Sequence, residues 1–124
     1  MKIYLVHSSK YNFREELYKP LQNSELNKKH EIVYLYDQTD KPGSTKDLIK
    51  SCDLVIAEVS LNSIACGIEI GWANSFDIPL VFIHKKDTTP SKFLPLLSTS
   101  IISYAGSEDL VESLGKEIGA ISNE

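Results

Sequence analysis

The sequence predicts an α/β fold in which helices cover both faces of one parallel sheet. Short apolar runs rich in β-branched residues alternate along the chain with amphipathic helical patterns, as in consecutive βαβ units. One of these runs, "DLVIAEV" at residues 53–59, is almost continuously apolar, which is typical of a strand buried on both faces. The length of 124 residues suits one domain, spanning 1–124, with one core.

The predicted strands are short runs that follow polar or turn-forming residues. They cover residues 2–6, 31–36, 53–59, 79–84 and 100–104. Right-handed crossovers between such strands produce a five-stranded parallel sheet. We expect the strand order 2-1-3-4-5 in a three-layer, doubly wound sandwich of the flavodoxin-like or Rossmann-like kind.

The helical segments between the strands are indicated by their caps. The first pattern, residues 12–28, opens at Asn12 with Glu15 three residues later, as in a capping box, and Pro20 is expected to kink or end it. A Pro-Gly pair at 42–43 predicts a turn before the next helix. The other helices are expected near 44–51, from about Ser63 to residue 76, and over 107–121.

The composition argues against several classes of protein. A net charge of −4 with scattered lysines is not the basic face of a protein that binds a nucleic-acid polymer. No apolar run approaches the ~20 residues of a membrane span, and the start "MKIYLVHSS" fits a first strand better than a signal peptide. Cys52 and Cys66 lie outside any metal-ligand spacing, so we expect no metal and two reduced thiols in a cytoplasmic protein.

In a sheet of this order, ligands bind between strands one and three, beyond the carboxyl ends of the strands. The loop "HSSKYN" after strand one places His7 and Ser8 there, and His7 could also donate a proton. The loop "SLNSIACG" after strand three brings Asn62 and Ser63 to the start of a helix. These two residues could simply cap the helix, or with its free amides they could bind an anion such as a 5'-phosphate.

Glu69 is the single charge in "CGIEIGWANSF", residues 66–76. The helix dipole favours the ionised form of a carboxylate in the first turns, and such a carboxylate can attack a sugar carbon. Gly67 and Gly71 share one face of this helix. Because glycine costs about 1 kcal/mol relative to alanine in a helix, the pair indicates close approach by a ligand or another backbone. The alternative is that Glu69 caps a backbone group or reaches solvent.

Glu58 interrupts the most apolar strand at its carboxyl end. A buried carboxylate must be hydrogen-bonded or neutral. Glu58 could therefore orient a substrate hydroxyl or brace the amides of the following loop. The aromatic residues nearby are expected in structural roles, with Tyr4 and Tyr36 in strands and Trp72 in helix packing.

The stretch "SCDLVIAEVSLNSIACGIEIGWANSFDIPLVFI", residues 51–83, resembles the nucleoside 2-deoxyribosyltransferase superfamily. It is most similar to the branch of 2'-deoxynucleoside 5'-monophosphate N-glycosidases. After the strand 53–59, the positions that match the family motif in register are Ser60, Ser63, Gly67, Glu69, Gly71 and Ala73.

The resemblance implies that Glu69 is the nucleophile that takes the glycosyl group and that Ser63 contacts the 5' end of the nucleotide. It also implies a nucleoside or nucleotide substrate, no cofactor, and a homo-oligomer, either a dimer or larger. The aspartate that assists the nucleobase in the family falls by register on Thr45. The residues that could replace it are His7, Asp37, Asp40 and Asp47, or a residue of a neighbouring subunit.

The sequence therefore predicts an N-glycosidic bond hydrolase or (deoxy)ribosyltransferase that acts on a nucleoside or nucleoside 5'-monophosphate through Glu69. The alternative favoured by Thr45 is a catalytically silent nucleotide-binding or sensing module of the same fold. A bare flavodoxin-like or receiver-like scaffold is the third possibility. It fits less well, because "VHSS" lacks the acidic pocket of a receiver and "HSSKYN" is a poor phosphate loop for a flavin.

Overall fold

The computed structural model describes residues 1–38 and 44–122. Its strands are β1 (Lys2–Val6), β2 (Glu31–Val33), β3 (Leu54–Glu58), β4 (Leu80–Lys85) and β5 (Ile101–Tyr104). Its helices are α1 (Lys19–Gln22), α2 (Glu25–Lys29), α3 (Thr45–Lys50), α4 (Ile64–Ser75) and α5 (Ser107–Ser122). None of the helices in the described ranges has the length and apolar character that a membrane crossing requires.

All five strands are parallel and lie in the order β2-β1-β3-β4-β5, which confirms the predicted topology. The chain leaves β1 toward β2 on one side and returns to β3 on the other. The end of β1 pairs with the end of β3, where Val6 lies opposite Ala57. This is the point at which the strand order reverses, so a crevice opens there.

The position of β3 in the sheet explains its continuous apolar pattern. Leu54 and Ile56 face a cluster of buried side chains beneath α1, α2 and α5. Val55 and Ala57 face a second cluster beneath α3 and α4. Every residue of the strand is buried because both faces of the sheet are covered.

The chain between β1 and β2 differs from the single capped helix predicted there. A π-helical turn, Arg14–Tyr18, begins after Phe13 without a side-chain cap, so Asn12 does not form the expected capping box. α1 continues the π-helical turn directly, and the helix ends at Gln22, two residues after Pro20, as expected from the proline. Strand β2 ends at Val33, and a 3₁₀ turn follows at Leu35–Asp37. The predicted Pro-Gly turn at 42–43 lies outside the described residues.

Candidate active site

Two adjoining pockets open at the carboxyl ends of β1 and β3. The glutamate pocket has a volume of about 280 Å³, and its lining includes Tyr4, Thr45, Glu69 and Trp72. The serine pocket has a volume of about 420 Å³, and its lining includes Ser8, Lys10, Asn62 and Ser63. The residues that line both pockets are His7, Tyr36 and Ala65. The crevice predicted between strands one and three is therefore present, with Glu69 on one side and Ser63 on the other.

Glu69 lies in the second turn of α4, with its side chain turned toward the sheet. The Tyr4 hydroxyl donates a hydrogen bond of 2.5 Å to its Oε2 atom. Burial raises the pKa of Glu69, while hydrogen bonds from Tyr4 and Thr45 lower it. The carboxylate is thus partly desolvated, and the Tyr4 hydroxyl from β1 fixes its orientation toward the pocket.

Tyr4 is the site residue that the sequence did not reveal. It lies in the middle of β1 with almost no exposed surface. Burial raises its pKa, and so does the adjacent Glu69 carboxylate, so its hydroxyl stays protonated and donates. One signal in the sequence could have indicated this role: Tyr4 lies in a strand whose faces are both covered. A buried phenol needs a hydrogen-bond partner, so a polar group is expected beside it.

Thr45, at the position of the family aspartate, is the first residue of α3 and lines the glutamate pocket. Of the carboxylates that could replace that aspartate, Asp37 accepts hydrogen bonds from Arg14 and Gln22 at the surface. Asp47 is exposed on α3. Neither lines either pocket, and Asp40 lies outside the described residues.

His7 is buried at the junction of the two pockets, with both ring nitrogens bonded to the protein. Nδ1 lies 3.0 Å from the Ser8 carbonyl, which can only accept, so Nδ1 carries the hydrogen. Burial lowers the pKa of His7, so the ring is neutral and Nε2 accepts from the Tyr18 hydroxyl at 2.8 Å. That hydroxyl accepts in turn from the Tyr36 N–H at 3.4 Å. His7 thereby positions Tyr36, and neither of its nitrogens is left for a substrate.

In the serine pocket, Ser63 is the N-cap of α4, and its Oγ accepts from the Cys66 N–H at 3.3 Å. The Ser63 O–H donor remains available, because a hydroxyl can accept and donate at once. The first amides of α4 have no intrahelical partner. Lys10 is the one lysine or arginine among the described residues of this lining. Its backbone N–H donates to Ser8 Oγ at 3.0 Å. The arrangement suits an anion.

Two of the predicted substrate-binding residues, Glu58 and Gly67, line neither pocket. Glu58 is 4% exposed and accepts hydrogen bonds from the Ser60 N–H at 2.6 Å, the Ser60 hydroxyl at 3.0 Å and the Tyr104 hydroxyl. This geometry favours the bracing role. Gly67 and Gly71 face outward from α4, and a Cβ at either would meet nothing within 4 Å.

No protein-family model matches the sequence, and no curated protein matches it. A solved structure does: the CMP N-glycosidase BcmB of Clostridium botulinum aligns with a TM-score of 0.69 and 21% identity. The alignment covers 93% of this chain and 99% of that one. The chain shares the fold of this N-glycosidase. The match confirms the predicted α/β architecture.

Proposed function

We propose that this protein is an enzyme that hydrolyses the N-glycosidic bond of a nucleoside 5'-monophosphate, with Glu69 as the nucleophile. One observation carries the proposal: a half-buried carboxylate, oriented by Tyr4, lines a pocket that adjoins a second pocket suited to an anion. The printed name of the structural neighbour, a CMP N-glycosidase, supports the same class of reaction.

A nucleotide that spans both pockets has its base in the glutamate pocket and its phosphate in the serine pocket. A Glu69 oxygen attacks C1' as the C1'–N bond breaks, which forms a glycosyl ester, and the base leaves with the electron pair of that bond and, where it was uncharged in the nucleotide, gains a proton. Water then attacks C1', the ester bond breaks with its pair returning to the carboxylate, and the sugar phosphate is released as the water loses a proton. If a second base takes the place of that water, the same site performs transfer.

A panel of nucleosides and their 5'-monophosphates, analysed by chromatography for the released base, tests the proposal. We expect 5'-monophosphates to be cleaved in preference to nucleosides. The variant Lys10→Met should raise KM for monophosphates roughly 10-fold, because a charge-assisted contact is lost, and should leave nucleosides unaffected. Lys19→Met is the matched control, because Lys19 lies outside both pockets and pairs with Glu15 at 3.4 Å.

The second candidate is a nucleotide-binding module without activity, which is favoured by Thr45 at the position where the family has an aspartate. Tight binding of CMP without release of base from any nucleoside or nucleotide tested, those with a cationic base included, at high protein concentration and long incubation, would support that candidate and exclude the enzyme.

The variant Tyr4→Phe should change the pH dependence of the reaction. The hydrogen bond from Tyr4 lowers the pKa of Glu69, so its removal raises that pKa further. The nucleophile must be ionised, so activity is lost as the pH falls. In the variant this loss should occur at a higher pH than in the wild type. At neutral pH we expect a loss of roughly 10-fold.

The pH–rate profile of kcat/KM measures this shift of the acid limb. Tyr34→Phe is the control, because the Tyr34 hydroxyl donates to Asn27 Oδ1 at 2.7 Å, outside both pockets. An unchanged acid limb in Tyr4→Phe would show that this hydroxyl does not stabilise the ionised nucleophile.

We also propose that the chain forms a homo-oligomer through the outer face of α4. Ile64 is 87% exposed and Ile68 is 49% exposed, and the open surfaces of Gly67 and Gly71 lie beside them. Ile64 also lines the serine pocket and Ile68 the glutamate pocket, so this face borders both pockets. Glu69, the one charge of this helix, faces inward, so the outer face carries none. A ridge of isoleucines beside a groove of glycines is self-complementary, as an isologous interface requires.

Light scattering coupled to size-exclusion chromatography should therefore find a dimer or larger species for the wild type and a monomer for Ile64→Glu. Ala120→Glu adds the same charge at an exposed position of α5, on the opposite face of the sheet, and should leave the assembly unchanged. A wild-type chain that is monomeric at every concentration tested would refute the interface.

A further inference from the structure

We infer that the glutamate pocket is built for a nucleotide whose base is a cation, such as an N-linked pyridinium, and not for a neutral base. The inference rests on the proposed function and specifies which leaving group the site can expel. Three features carry it: the chemistry of the residues around Glu69, the rings and charge of the glutamate pocket, and the opposite charge of the serine pocket.

The leaving base determines whether the enzyme must supply a proton. When the C1'–N bond of a neutral base breaks, the electron pair leaves a negative charge on the base, and a general acid that neutralises it contributes about 10²- to 10⁴-fold. When the base is a pyridinium, the same electron pair cancels the positive charge. The base departs as a neutral molecule, and no acid is needed.

Apart from Glu69, the described lining of the glutamate pocket offers no carboxylic acid and no imidazole with a free nitrogen. Its titratable side chains are Tyr4, His7, Tyr36 and Glu69. Glu69 forms the bond to the sugar, and Tyr4 is bonded to it. Both nitrogens of His7 are occupied by Ser8 and Tyr18. Tyr36 contributes only a phenol, and the position of the family aspartate holds the hydroxyl of Thr45.

The same pocket has features that attract a cation. The aromatic residues Tyr36 and Trp72 line it beside the buried Tyr4, and Glu69 supplies a carboxylate. No lysine or arginine is found among the described residues of the lining. Cations bind over the faces of aromatic rings, best over tryptophan. Lys46 Nζ lies 6.0 Å from the centre of the Trp72 ring, outside the pocket lining.

The serine pocket supplies the opposite charge. It contains Lys10, the Ser63 hydroxyl and the free amides at the start of α4. The paired pockets therefore match a molecule that is positive at its base and negative at its phosphate. A neutral pyrimidine or purine nucleotide would satisfy the serine pocket alone.

The reaction balances without any further reagent. A Glu69 oxygen bonds to C1' while the C1'–N1 bond breaks and its electron pair moves onto the ring nitrogen. A water oxygen then attacks C1', the ester bond breaks with its pair returning to the carboxylate, and the water proton passes to solvent. No oxidant, reductant or protein acid takes part.

Three probes test the inference: nicotinamide mononucleotide, its reduced dihydro form, and CMP. The first two have nearly the same size and the same phosphate, but only the oxidised form carries a cationic base. We expect kcat/KM for the oxidised form to exceed that for the other two by roughly 100-fold or more. Its pH profile should show the acid limb of Glu69 and no alkaline limb, because no acid is consumed.

Two variants at position 45 separate leaving-group chemistry from binding. Thr45→Asp supplies an acid and should raise CMP hydrolysis roughly 10²-fold without raising hydrolysis of the cationic probe. Thr45→Asn, similar in size but not an acid, should do neither, and thermal melts establish that both variants are folded.

CMP cleavage by the wild type at a rate equal to or above that of the cationic probe would overturn the inference and leave the proposed function standing. Release of base from none of the three probes would overturn the proposed function itself. Cleavage of the cationic probe alone supports both.

Discussion

Replacing Glu69 by glutamine should reduce kcat/KM for base release by roughly 10³-fold or more, because an amide cannot form the glycosyl ester. The substitution keeps the size of the side chain and an oxygen that can still accept from the Tyr4 hydroxyl. Its effect should therefore fall on kcat, while binding of the nucleotide persists. Steady-state kinetics together with calorimetric titration of CMP measures the two separately.

Glu112→Gln provides the control for loss of a carboxylate, because Glu112 is exposed on α5 and pairs only with Lys116 at 3.4 Å among the ion pairs of the described residues. Activity of Glu69→Gln within 10-fold of the wild type would exclude Glu69 as the nucleophile. Trapping of a glycosyl ester on Glu69, detected by mass spectrometry of the quenched wild-type protein, would be direct evidence for the role.

The layered fold was predictable because its signals are local. The apolar run of β3, the alternation of strand and helix patterns and the serine caps of α3 and α4 can each be recognised within a few residues. The end of the first helix soon after Pro20 was predicted, whereas its start was not, because no side chain caps it. Its π-helical turn instead seats Leu17 and Tyr18 in the core, and this packing overrides the apparent capping box.

The site was only partly predictable, because its contacts join distant parts of the chain. Motif spacing pointed to Glu69 and Ser63, which share one helix. Tyr4 lies 65 residues from Glu69 in sequence, and His7 reaches Tyr18 on another element. Contacts of this kind depend on the strand order and on the depth of each side chain, which local patterns do not specify.

The outward glycines of α4 show how the same residues can mislead. From sequence, Gly67 and Gly71 indicated close approach by a ligand or another backbone. In the structure both glycines lie away from both pockets, so close approach by a ligand does not explain them. Close approach by another backbone is the explanation that remains for two residues that destabilise a helix. Within the described residues no backbone approaches them, which is why they enter the proposed interface between subunits.

Replacing Glu58 by leucine should destabilise the fold by about 3 kcal/mol, because several donors then lose their buried acceptor. The affected donors are the Ser60 N–H, the Ser60 hydroxyl and the Tyr104 hydroxyl. The Ser60 hydroxyl also accepts from the Lys85 N–H at 2.8 Å, so the loss extends across the ends of β3, β4 and β5. For a domain of this size we expect the melting temperature to fall by roughly 10 °C.

Urea unfolding gives the change in free energy, and Glu117→Leu is the matched control. Glu117 is a half-exposed carboxylate that accepts one hydrogen bond of 2.6 Å, from Ser100, and its loss should change stability by less than about 1 kcal/mol. Kinetics at a temperature where Glu58→Leu remains folded then distinguishes the two roles considered for Glu58. If Glu58 only supports the loop after β3, the variant should have a KM close to that of the wild type. A stable variant with a raised KM would instead indicate that Glu58 contacts the substrate.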